Sequence, residues 1–563
     1  MEIAIEPAMP TYAGGLGVLA GDTLRSAADL GVSMAAFTLL HRKGYFQQHL
    51  DPVGMQTEEV QPWNPADFCT EEPARVTVSI EGRVVTLRAW RYDLKGSFGH
   101  VVPIYLLDTD LEGNSGWDRG LTDHLYGGDT NYRLQQEIVL GMGGVRMAHA
   151  LGLHVNVYHM NEGHAALLTL ALLESQLGGG PEGAAAETDI EAVRRKCVFT
   201  THTPVQAGHD RFSTEQAIRI LGADRTARLE KLECFRDGLQ NMTLLALRFS
   251  RYANGVAMQH GKVSRAMFPE FSIGSITNGV HAPTWIGDPV QRMLDEHIPE
   301  WRRDNLYLRN TIDVPVAEIL AAHARAKEEL LAEVGSRTGL VLNPKVLTLG
   351  FARRAATYKR ATLLFTDPER LKEIAAKAGG LQILYAGKAH PQDEPGKALI
   401  RQVVAEAAKL SNNDLRIVYL ENYAWQLGAQ LTAGVDVWVN TPRRPYEASG
   451  TSGMKAAMNG VPSLSILDGW WIEGCIEGVT GWAIEDGAND HEEAQSLYAK
   501  LEKAVVPLYL DAREKWARLM RTTLAFNGSY FNTNRMVKQY IRNAYYPERL
   551  AEPAKVEEAA YAD

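Results

Sequence analysis

The segment between Glu447 and Lys455 combines residue types that could bind an anion beside a reactive amine. Its sequence, EASGTSGMK, follows a predicted strand at 435–440 and runs into a predicted helix at 454–459. Small residues before a helix let backbone N–H groups approach an anion, and the helix dipole favours negative charge there. Lys455, one turn inside, could form a Schiff base with an aldehyde whose phosphate the loop holds. The pattern indicates a phosphorylated aldehyde cofactor, although a plain turn before a helix has the same composition.

A second group of candidate residues lies in FARRAATYKR, where four cations fall within eight residues. Arg353 and Arg354 directly end an apolar run, where a merely solubilising pair is less expected. Guanidinium groups bind phosphate through two hydrogen bonds, and Lys359 adds a point charge. The segment therefore favours a phosphate site, with a solvated helix face as the alternative.

Other named chemistries do not fit the sequence. There is no Walker loop, because nothing reads GxxxxGK followed by Ser or Thr. Ser452 to Lys455 has the form S-x-x-K, but the chain holds neither S-D-N nor K-T-G. His164 in NEGH and His202 in TTHTP could be metal ligands or core histidines, and no HExxH or matching carboxylate spacing accompanies them. We expect no metal.

The candidate residues follow predicted strands of an α/β fold. In the second half, five continuous apolar runs are separated mostly by helical stretches: VLTLGFARR, LQILYAGK, LRIVYLEN, VDVWVN and VPSLSILDG. This pattern indicates a parallel, doubly wound sheet. The first half also alternates strands and helices and contains a predicted β-hairpin within 57–100, with its turn at Glu81 and Gly82. Because ligands bind beyond the carboxyl ends of such strands, we expect a phosphate and sugar cleft between two domains.

The composition is that of an ordinary globular chain with more than one domain. The 563 residues exceed a single core, with 45% hydrophobic and 22% charged residues. A net charge of −10 without long basic runs argues against a nucleic-acid partner. Separated cysteines, an acidic N-terminus and no bilayer-length apolar stretch predict a cytoplasmic protein that does not bind membranes. A flexible surface loop is predicted at 177–187 and a solvated tail at 552–563.

Several motifs together resemble those of the α-glucan (glycogen and starch) phosphorylases, in their shorter bacterial and archaeal branch. EASGTSGMK resembles the family's cofactor-lysine segment EASGTGNMK, and FARRAATYKR resembles KRIHEYKR. AGGLG, NEGH, TTHTP and SITNGVHAPTW resemble NGGLGRLA, NDTH, TNHT and TNGITPRRW. The likeness runs from about Gly14 to Gly469 in the family's order. It implies the GT-B arrangement, in which two Rossmann-like, doubly wound domains face each other across a cleft.

The resemblance also implies domain bounds and a reaction. The N-terminal domain would span 1–290 with the β insertion near 57–100, the C-terminal domain 291–520, and a helix crossing back plus the tail 521–563. The reaction would be reversible phosphorolysis of α-1,4-glucan, in which inorganic phosphate yields α-D-glucose 1-phosphate with retained configuration. Pyridoxal 5′-phosphate would be held by Lys455, and the substrate phosphate would itself act as the acid.

The resemblance assigns roles to individual residues. The implied cofactor contacts are Lys455, Arg353, Thr451, Ser452, Gly14, Gly15, Tyr423 and Trp285. The implied substrate contacts are Leu16, Asp129, His164, His202, Asn278, Glu447, Ser449 and Gly450. The implied catalytic residues are Lys455, Arg354, Lys359, His202 and Glu447. The sequence departs from the family at Arg353, where lysine is usual, at Ala424, where arginine is usual, and in its shorter loop around Asp129.

Two other functions are compatible with parts of the sequence. A nucleotide-sugar-dependent glucan synthase shares the fold and a GGLG loop, but it has no use for a cofactor lysine. A non-catalytic glucan-binding relative is the other alternative, and the joint presence of Lys455, Arg354, Lys359 and Glu447 argues against it. The family's long N-terminal regulatory region is missing, so control by phosphorylation or nucleotides is not expected. A homo-oligomer is possible.

Overall fold

Six parallel strands form the sheet of the second half of the chain, which confirms the five predicted from their apolar runs and adds one. The computed structural model describes residues 1–178 and 185–546. Neighbouring strands in this sheet are, in order, Leu415–Leu420, Leu381–Ala386, Leu347–Ala352, Val437–Asn440, Ser463–Ile466 and Gly481–Ile484. The sixth, GWAI, follows a glycine turn and is too short to show a period, so the sequence analysis did not anticipate it.

Helices alternate with these strands, and their ends follow from local chemistry. Asp367, Asp393 and Asn489 accept a backbone N–H of the first turn and so begin three of the helices. Gly339, at φ +73°, ends the longest helix in a left-handed cap. The α-helices of this half before residue 513 are Asp288–His297, Val316–Thr338, Pro368–Lys377, Glu394–Leu410, Trp425–Gly434, Ser452–Ala457, Trp471–Gly474, Asp490–Lys500 and Val506–Asp511.

The first half contains a parallel sheet of its own and a separate mixed sheet. The parallel sheet orders the strands Gly274–Ser275, Tyr252–Gly255, Cys197–Thr200 and Tyr158–Asn161. In the mixed sheet, Val76–Ile80 and Arg83–Lys95 form the predicted hairpin, with Glu81 and Gly82 at φ +50° and +73°. The hairpin is not free-standing, because its long strand pairs with Val101–Asp108, which in turn pairs in parallel with Ala36–Leu39.

The helices of the first half include one that the sequence analysis predicted as a single element at 131–151. It consists of Thr130–Ile138, a π-helical turn at Val139–Gly143, and Gly144–Ala150. Gly141 packs so closely on the next helix that an added Cβ would lie 2.7 Å from the Leu168 nitrogen. The other helices are Gly15–Asp29, Gly116–Arg119, Leu167–Gln176, Glu187–Arg194, Thr214–Leu221, Ala223–Lys231, Met242–Arg248, Met258–Met267 and Ala282–Trp285.

The last helical segments pack against the first half of the chain. The sequence predicted one helix over 514–544, whereas the structure has Arg513–Thr523, a π-helical turn, and Thr533–Tyr540, followed by Ile541–Tyr545. The break falls where Asn532 caps the following helix by accepting the Arg535 N–H at 2.8 Å. Thr533 and Ser26 hydroxyls lie 2.6 Å apart, and the Tyr540 hydroxyl lies 3.1 Å from Thr200 Oγ1.

The architecture is therefore mixed α/β with two parallel sheets. Of the predicted loop at 177–187, residues 179–184 lie outside the described residues, as does the predicted tail at 552–563. Within residues 1–178 and 185–546, none of the helices combines the length and apolarity needed to cross a bilayer. The four cysteines are free thiols.

Candidate active site

The carboxyl ends of the six parallel strands meet at one edge of the second sheet. Arg353 and Arg354 directly follow Leu347–Ala352, and Glu447 lies in the loop after Val437–Asn440. A parallel sheet brings such residues together because all its strands point the same way. Arg353, Arg354 and Lys359 line one cavity at this edge.

A buried ion cluster occupies this edge. The Glu447 carboxylate forms a hydrogen-bonded ion pair with Lys359 Nζ, and Arg353 Nη1 lies 3.5 Å from the same carboxylate oxygen. Burial alone would raise the pKa of Glu447, but the two cations outweigh burial and hold that pKa below its ordinary value. Glu447 is therefore an ionised hydrogen-bond acceptor, and its negative charge compensates the positive charge of Lys359.

Arg353 has unused hydrogen-bonding capacity. Its Nη2 donates to Ser452 Oγ at 3.2 Å, at the start of the helix Ser452–Ala457. Its Nε and Nη1 are buried and have no hydrogen-bond partner in the described part of the chain. A buried guanidinium whose Nε and Nη1 make no hydrogen bond among the described residues, with Glu447 at 3.5 Å as the nearest carboxylate, is costly unless a further anion completes it. This position therefore fits a phosphate group.

Lys455 lies in the same helix, and its amine enters an aromatic environment. The helix is reached through Gly450, at φ +74°, and Thr451 occupies the position just before it. The Lys455 Nζ lies 3.6 Å from the ring centroid of Trp285. Burial lowers the pKa of Lys455 to about 8. Among the described residues the amine makes no hydrogen bond, which fits a lysine that can react as a free base.

The glycine loop predicted to contact the phosphates lies at the start of the helix Gly15–Asp29. Gly14 and Gly15 have open space where a Cβ would lie, so a ligand could approach their backbone. However, the N–H groups of Ala13 and Gly14 donate to the Glu2 carboxylate at 2.6 and 3.1 Å. The Gly14 N–H expected to face a phosphate is thus already bonded to a carboxylate here. Gly15 and Leu16 begin the helix Gly15–Asp29.

The two predicted histidines follow strands of the first parallel sheet and are uncharged. His202 Nε2 lies 2.6 Å from Asn161 Oδ1, and its backbone N–H donates to Glu162 at 2.7 Å. Burial lowers the pKa of His202 to about 3. The His164 ring nitrogen lies 2.8 Å from the Met1 amine, and burial lowers the pKa of His164 well below its ordinary value. Both rings are hydrogen-bonding groups rather than acids at neutral pH.

The remaining predicted residues lie in different surroundings. Asn278 is buried and its Oδ1 has no partner within the described residues, while its carbonyl accepts from Arg535 at 2.9 Å. Burial raises the pKa of Tyr423 to about 12. Ser449 accepts the Trp470 N–H through its carbonyl at 2.8 Å, and Gly450 passes close to the Glu447 side chain.

Asp129 is separate from the other predicted residues. Its carboxylate caps the helix Thr130–Ile138 by accepting the Tyr132 N–H at 2.9 Å, and it is exposed. It lines a surface cavity of about 440 Å³ whose other walls are Glu81, Arg83, Trp117, Asn131, Gln135 and Arg219. None of the other predicted site residues lines that cavity.

The structure therefore brings the predicted residues together in three groups. The first is the cluster of Arg353, Arg354, Lys359, Glu447 and Ser452 at the edge of the second sheet. The second is Lys455 with Trp285, and the third is His202 with its neighbour His164. Within the described ranges, no hydrogen bond or ion pair joins either histidine to the cation cluster. Contacts such as Lys388 Nζ to the Phe46 carbonyl at 2.9 Å link the first half of the chain to the edge of the second sheet.

Two acidic residues that the sequence analysis did not select are part of these surroundings. Asp22 accepts the Trp285 indole N–H at 2.7 Å, and Glu2 accepts the loop N–H groups described above. Asp22 had a signal in the sequence, because it follows Val18 and Leu19 at helical spacing on the buried face of its helix. Glu2 had none, because its partners lie eleven and twelve residues further along the chain.

Comparison with known proteins agrees with the motifs. The family model for carbohydrate phosphorylases matches residues 184–481. The maltodextrin phosphorylase of Thermococcus litoralis is 39% identical over 98% of this chain and 70% of its own length. The glycogen phosphorylase of Mycobacterium tuberculosis is 36% identical over 97% of this chain and 70% of its own length. That of Aquifex aeolicus is 36% identical over 98% of this chain and 86% of its own length. The chain belongs to the carbohydrate phosphorylase family.

Proposed function

We propose that the protein is a glycosyltransferase that catalyses reversible phosphorolysis of α-1,4-glucans with pyridoxal 5′-phosphate as cofactor. The proposal rests on the arrangement of side chains at the edge of the second sheet. There, Arg353 donates to Ser452 at the start of the helix that carries Lys455, and the buried Lys455 amine makes no hydrogen bond within the described residues. The family membership of nearly the whole chain supports the same reaction.

The residues around this helix fit the cofactor. Lys455 supplies the amine for covalent attachment, and Arg353 with Ser452 and Thr451 supplies donors for a phosphate group. Trp285 packs against the attachment point. When bound, the cofactor supplies a phosphate that exchanges a proton with the substrate phosphate. Gly14 is a weaker contact than the sequence predicted, because its N–H is bonded to Glu2.

The substrate phosphate is assigned to Lys359 and Arg354. Two phosphate groups close together repel each other, so three cations in one cluster offset that repulsion. In the structure Lys359 is neutralised by Glu447, so an incoming phosphate competes with that carboxylate for the amine. Binding would free Glu447 to accept a hydrogen bond from a sugar hydroxyl, as the family resemblance implies.

Among residues 1–178 and 185–546, no pair of carboxylates at this edge is arranged for a glycosidase mechanism. Glu447 is held ionised and cannot serve as an acid. Burial raises the pKa of Asp468 to about 6, but its two oxygens accept the N–H groups of Glu447 and Gly469, each at 2.9 Å. The proton for the departing glycosidic oxygen is therefore assigned to the substrate phosphate. The bond from the sugar C1 to that oxygen breaks, and a bond from C1 to a phosphate oxygen forms.

The sugar contacts come from neutral groups of both halves of the chain. The pKa of His202 is lowered to about 3 by burial, and its Nε2 donates to Asn161 Oδ1, so the Nδ1 of the neutral ring can accept one hydrogen bond. Asn278 offers a buried Oδ1 without a partner in the described chain, and Ser449 and Gly450 border Glu447. Leu16 and His164 are proposed contacts on the same side. Asp129 is the least supported, since it caps a helix and lines a separate cavity.

The finer architecture belongs to the same proposal. The two parallel sheets would be the centres of two Rossmann-like domains, 1–290 and 291–520, in the GT-B arrangement, with the segment from 521 returning to the first. The contacts of Thr533 and Tyr540 with the first half support that return. Four free thiols fit the reducing cytoplasm.

The proposal is tested by trapping the cofactor and by measuring the product. Borohydride reduction of the cofactor-loaded protein, followed by peptide mass analysis, should place a pyridoxyl group on Lys455, and Lys455→Ala should abolish it. Incubation with maltodextrin and phosphate should then release glucose 1-phosphate. An unmodified Lys455 peptide would favour a nucleotide-sugar-dependent synthase. A modified lysine without product would favour a non-catalytic glucan-binding relative.

A further inference from the structure

A buried carboxylate lies behind the Lys455 environment, and no part of the proposed reaction uses it. Asp22 is 1% exposed and sits in the middle of the helix Gly15–Asp29. Its Oδ2 accepts the Trp285 indole N–H at 2.7 Å and the His281 backbone N–H at 3.2 Å. Its Oδ1 is buried without a hydrogen-bond partner in the described chain. Such a group is costly to bury unless nearby positive charge compensates it.

The cation nearest to it in the helix does not provide that compensation fully. Arg25 Nη1 is 3.8 Å from Asp22 Oδ1, beyond hydrogen-bonding distance. The same guanidinium donates to the Ala4 and Ile5 carbonyls at 3.3 and 2.5 Å and packs 4.5 Å over the Trp425 ring. Arg25 is thus also bonded to other groups, and it compensates the Asp22 carboxylate only in part.

Trp285 connects Asp22 to Lys455. The edge of the indole donates to the carboxylate, while its face carries the lysine amine 3.6 Å from the ring centroid. Asn459 clamps the arrangement, because its Nδ2 donates to the carbonyls of both Trp285 and Lys455, at 2.8 and 3.0 Å. The orientation of the indole therefore determines where the amine rests.

We propose that Asp22 is a positioning residue for the cofactor lysine: its carboxylate fixes the Trp285 ring against which the Lys455 amine lies. The inference rests on the proposed role of Lys455. Burial lowers the pKa of Lys455 to about 8, and Asp22 opposes that effect. Asp22 thereby limits how much free base the lysine presents to an aldehyde at neutral pH.

The test measures the protonation of Lys455 without the cofactor. The full chain, prepared without added pyridoxal 5′-phosphate, is acylated with acetic anhydride over a range of pH. Mass spectrometry then compares the Lys455 peptide with that of the exposed Lys377. In Asp22→Asn, which keeps an acceptor for the indole but loses the charge, the midpoint of Lys455 labelling should fall by on the order of one pH unit.

The matched control is Asp29→Asn on the same helix. Asp29 lies 2.8 Å from the ring of His281, four residues before Trp285, so it supports the same segment without contacting the indole. This control should leave the Lys455 midpoint unchanged even if it lowers stability. Asp22→Glu, which keeps the charge, should hold the midpoint near that of the unmodified sequence, and it decides the question if Asp22→Asn does not fold.

Three results would overturn the inference. The first is a midpoint of Lys455 labelling in Asp22→Asn equal to that of the unsubstituted protein. The second is a midpoint in Asp29→Asn that falls as much as the midpoint in Asp22→Asn. The third is a midpoint in Asp22→Glu that falls by the amount expected for the loss of the charge. None of them depends on cofactor binding. Failure of the proposed function appears separately, as a Lys455 that borohydride does not label in the unsubstituted protein.

Discussion

Replacing Glu447 with glutamine removes one negative charge from the buried cluster and keeps the shape of the side chain. Glu447 is 7% exposed, and the side chains of its partners Arg353 and Lys359 are 9% and 12% exposed. The substitution therefore leaves two nearly buried cations without their carboxylate. Because at least one of these two cations stays buried without a carboxylate, we expect the free energy of unfolding to fall.

The magnitude follows from the burial of the cluster. Removing one partner of a buried ion pair typically costs 3–5 kcal/mol. Lys359 can turn part of its chain toward solvent, so about 3 kcal/mol is expected for Glu447→Gln. Inorganic phosphate can replace the lost charge, and a ligand at one hundred times its dissociation constant stabilises by about 2.7 kcal/mol. Phosphate should thus restore most of the loss. It should stabilise the unsubstituted protein less, because there it competes with Glu447.

The assay is thermal unfolding at pH 7.5 with increasing inorganic phosphate, against sodium chloride of equal ionic strength. The matched control is Glu493→Gln. Glu493 pairs with Arg360 at 2.5 Å, and the two side chains are 10% and 6% exposed. Arg360 keeps a second ion pair with Asp490 at 3.0 Å, so the substitution removes one of its two carboxylate partners. That variant should lose less stability than Glu447→Gln and should gain nothing specific from phosphate.

Two results would refute this reasoning. If phosphate raises the unfolding midpoints of Glu447→Gln and Glu493→Gln equally, the cluster around Arg353 is not the anion site. If Glu447→Gln is as stable as the unsubstituted protein without phosphate, the carboxylate does not compensate Lys359 and Arg353 in solution.

Two further predictions concern phosphate binding and pH. Arg354→Ala should retain the cofactor, as measured by its absorbance. The same substitution should raise the KM for phosphate by about tenfold to a hundredfold, which is the loss expected for hydrogen bonds to a charged group. An unchanged dependence of the rate on phosphate would contradict the role of Arg354. Burial raises the pKa of Asp468 from 3.8 to about 6, so its contribution to stability is complete below about pH 4 and is lost as pH rises through about 6. The unfolding midpoint relative to that of Asp468→Asn should fall across that window and then level off, and a flat difference would be inconsistent with this pKa.

Local patterns in the sequence were enough for most of the framework. The five apolar runs of the second half are five parallel strands in the structure. A strand that is buried on both faces is apolar at nearly every position, so its pattern can be recognised without knowing which strands lie beside it. The hairpin turn at Glu81 and Gly82 and the helix carrying Lys455 were also correct, the latter within two residues at each end. The sequence signals of turns and helix ends involve residues only a few positions apart, so they can be identified from the sequence alone.

Errors arose where distant packing overrode local pattern. The predicted C-terminal helix breaks at 531–532, where the chain turns to pack on the first half. The helix predicted at 131–151 contains a π-helical turn beside the close approach of Gly141 to Leu168. The Gly14 N–H, predicted to face a phosphate, donates to Glu2 in this structure, and its contact with the cofactor stays a prediction. In each case the deciding contact comes from another element.

By itself, the sequence determined the α/β class, the positions of five strands along the chain and the cations that follow them, since these depend on spacing along the chain. Only the tertiary structure decided that Lys359 and Arg353 share one carboxylate and that Asp22, Trp285 and Lys455 form one contact chain. Those partners lie up to several hundred residues apart. The burial that changes their pKa values exists only once the sheets and helices have packed around them.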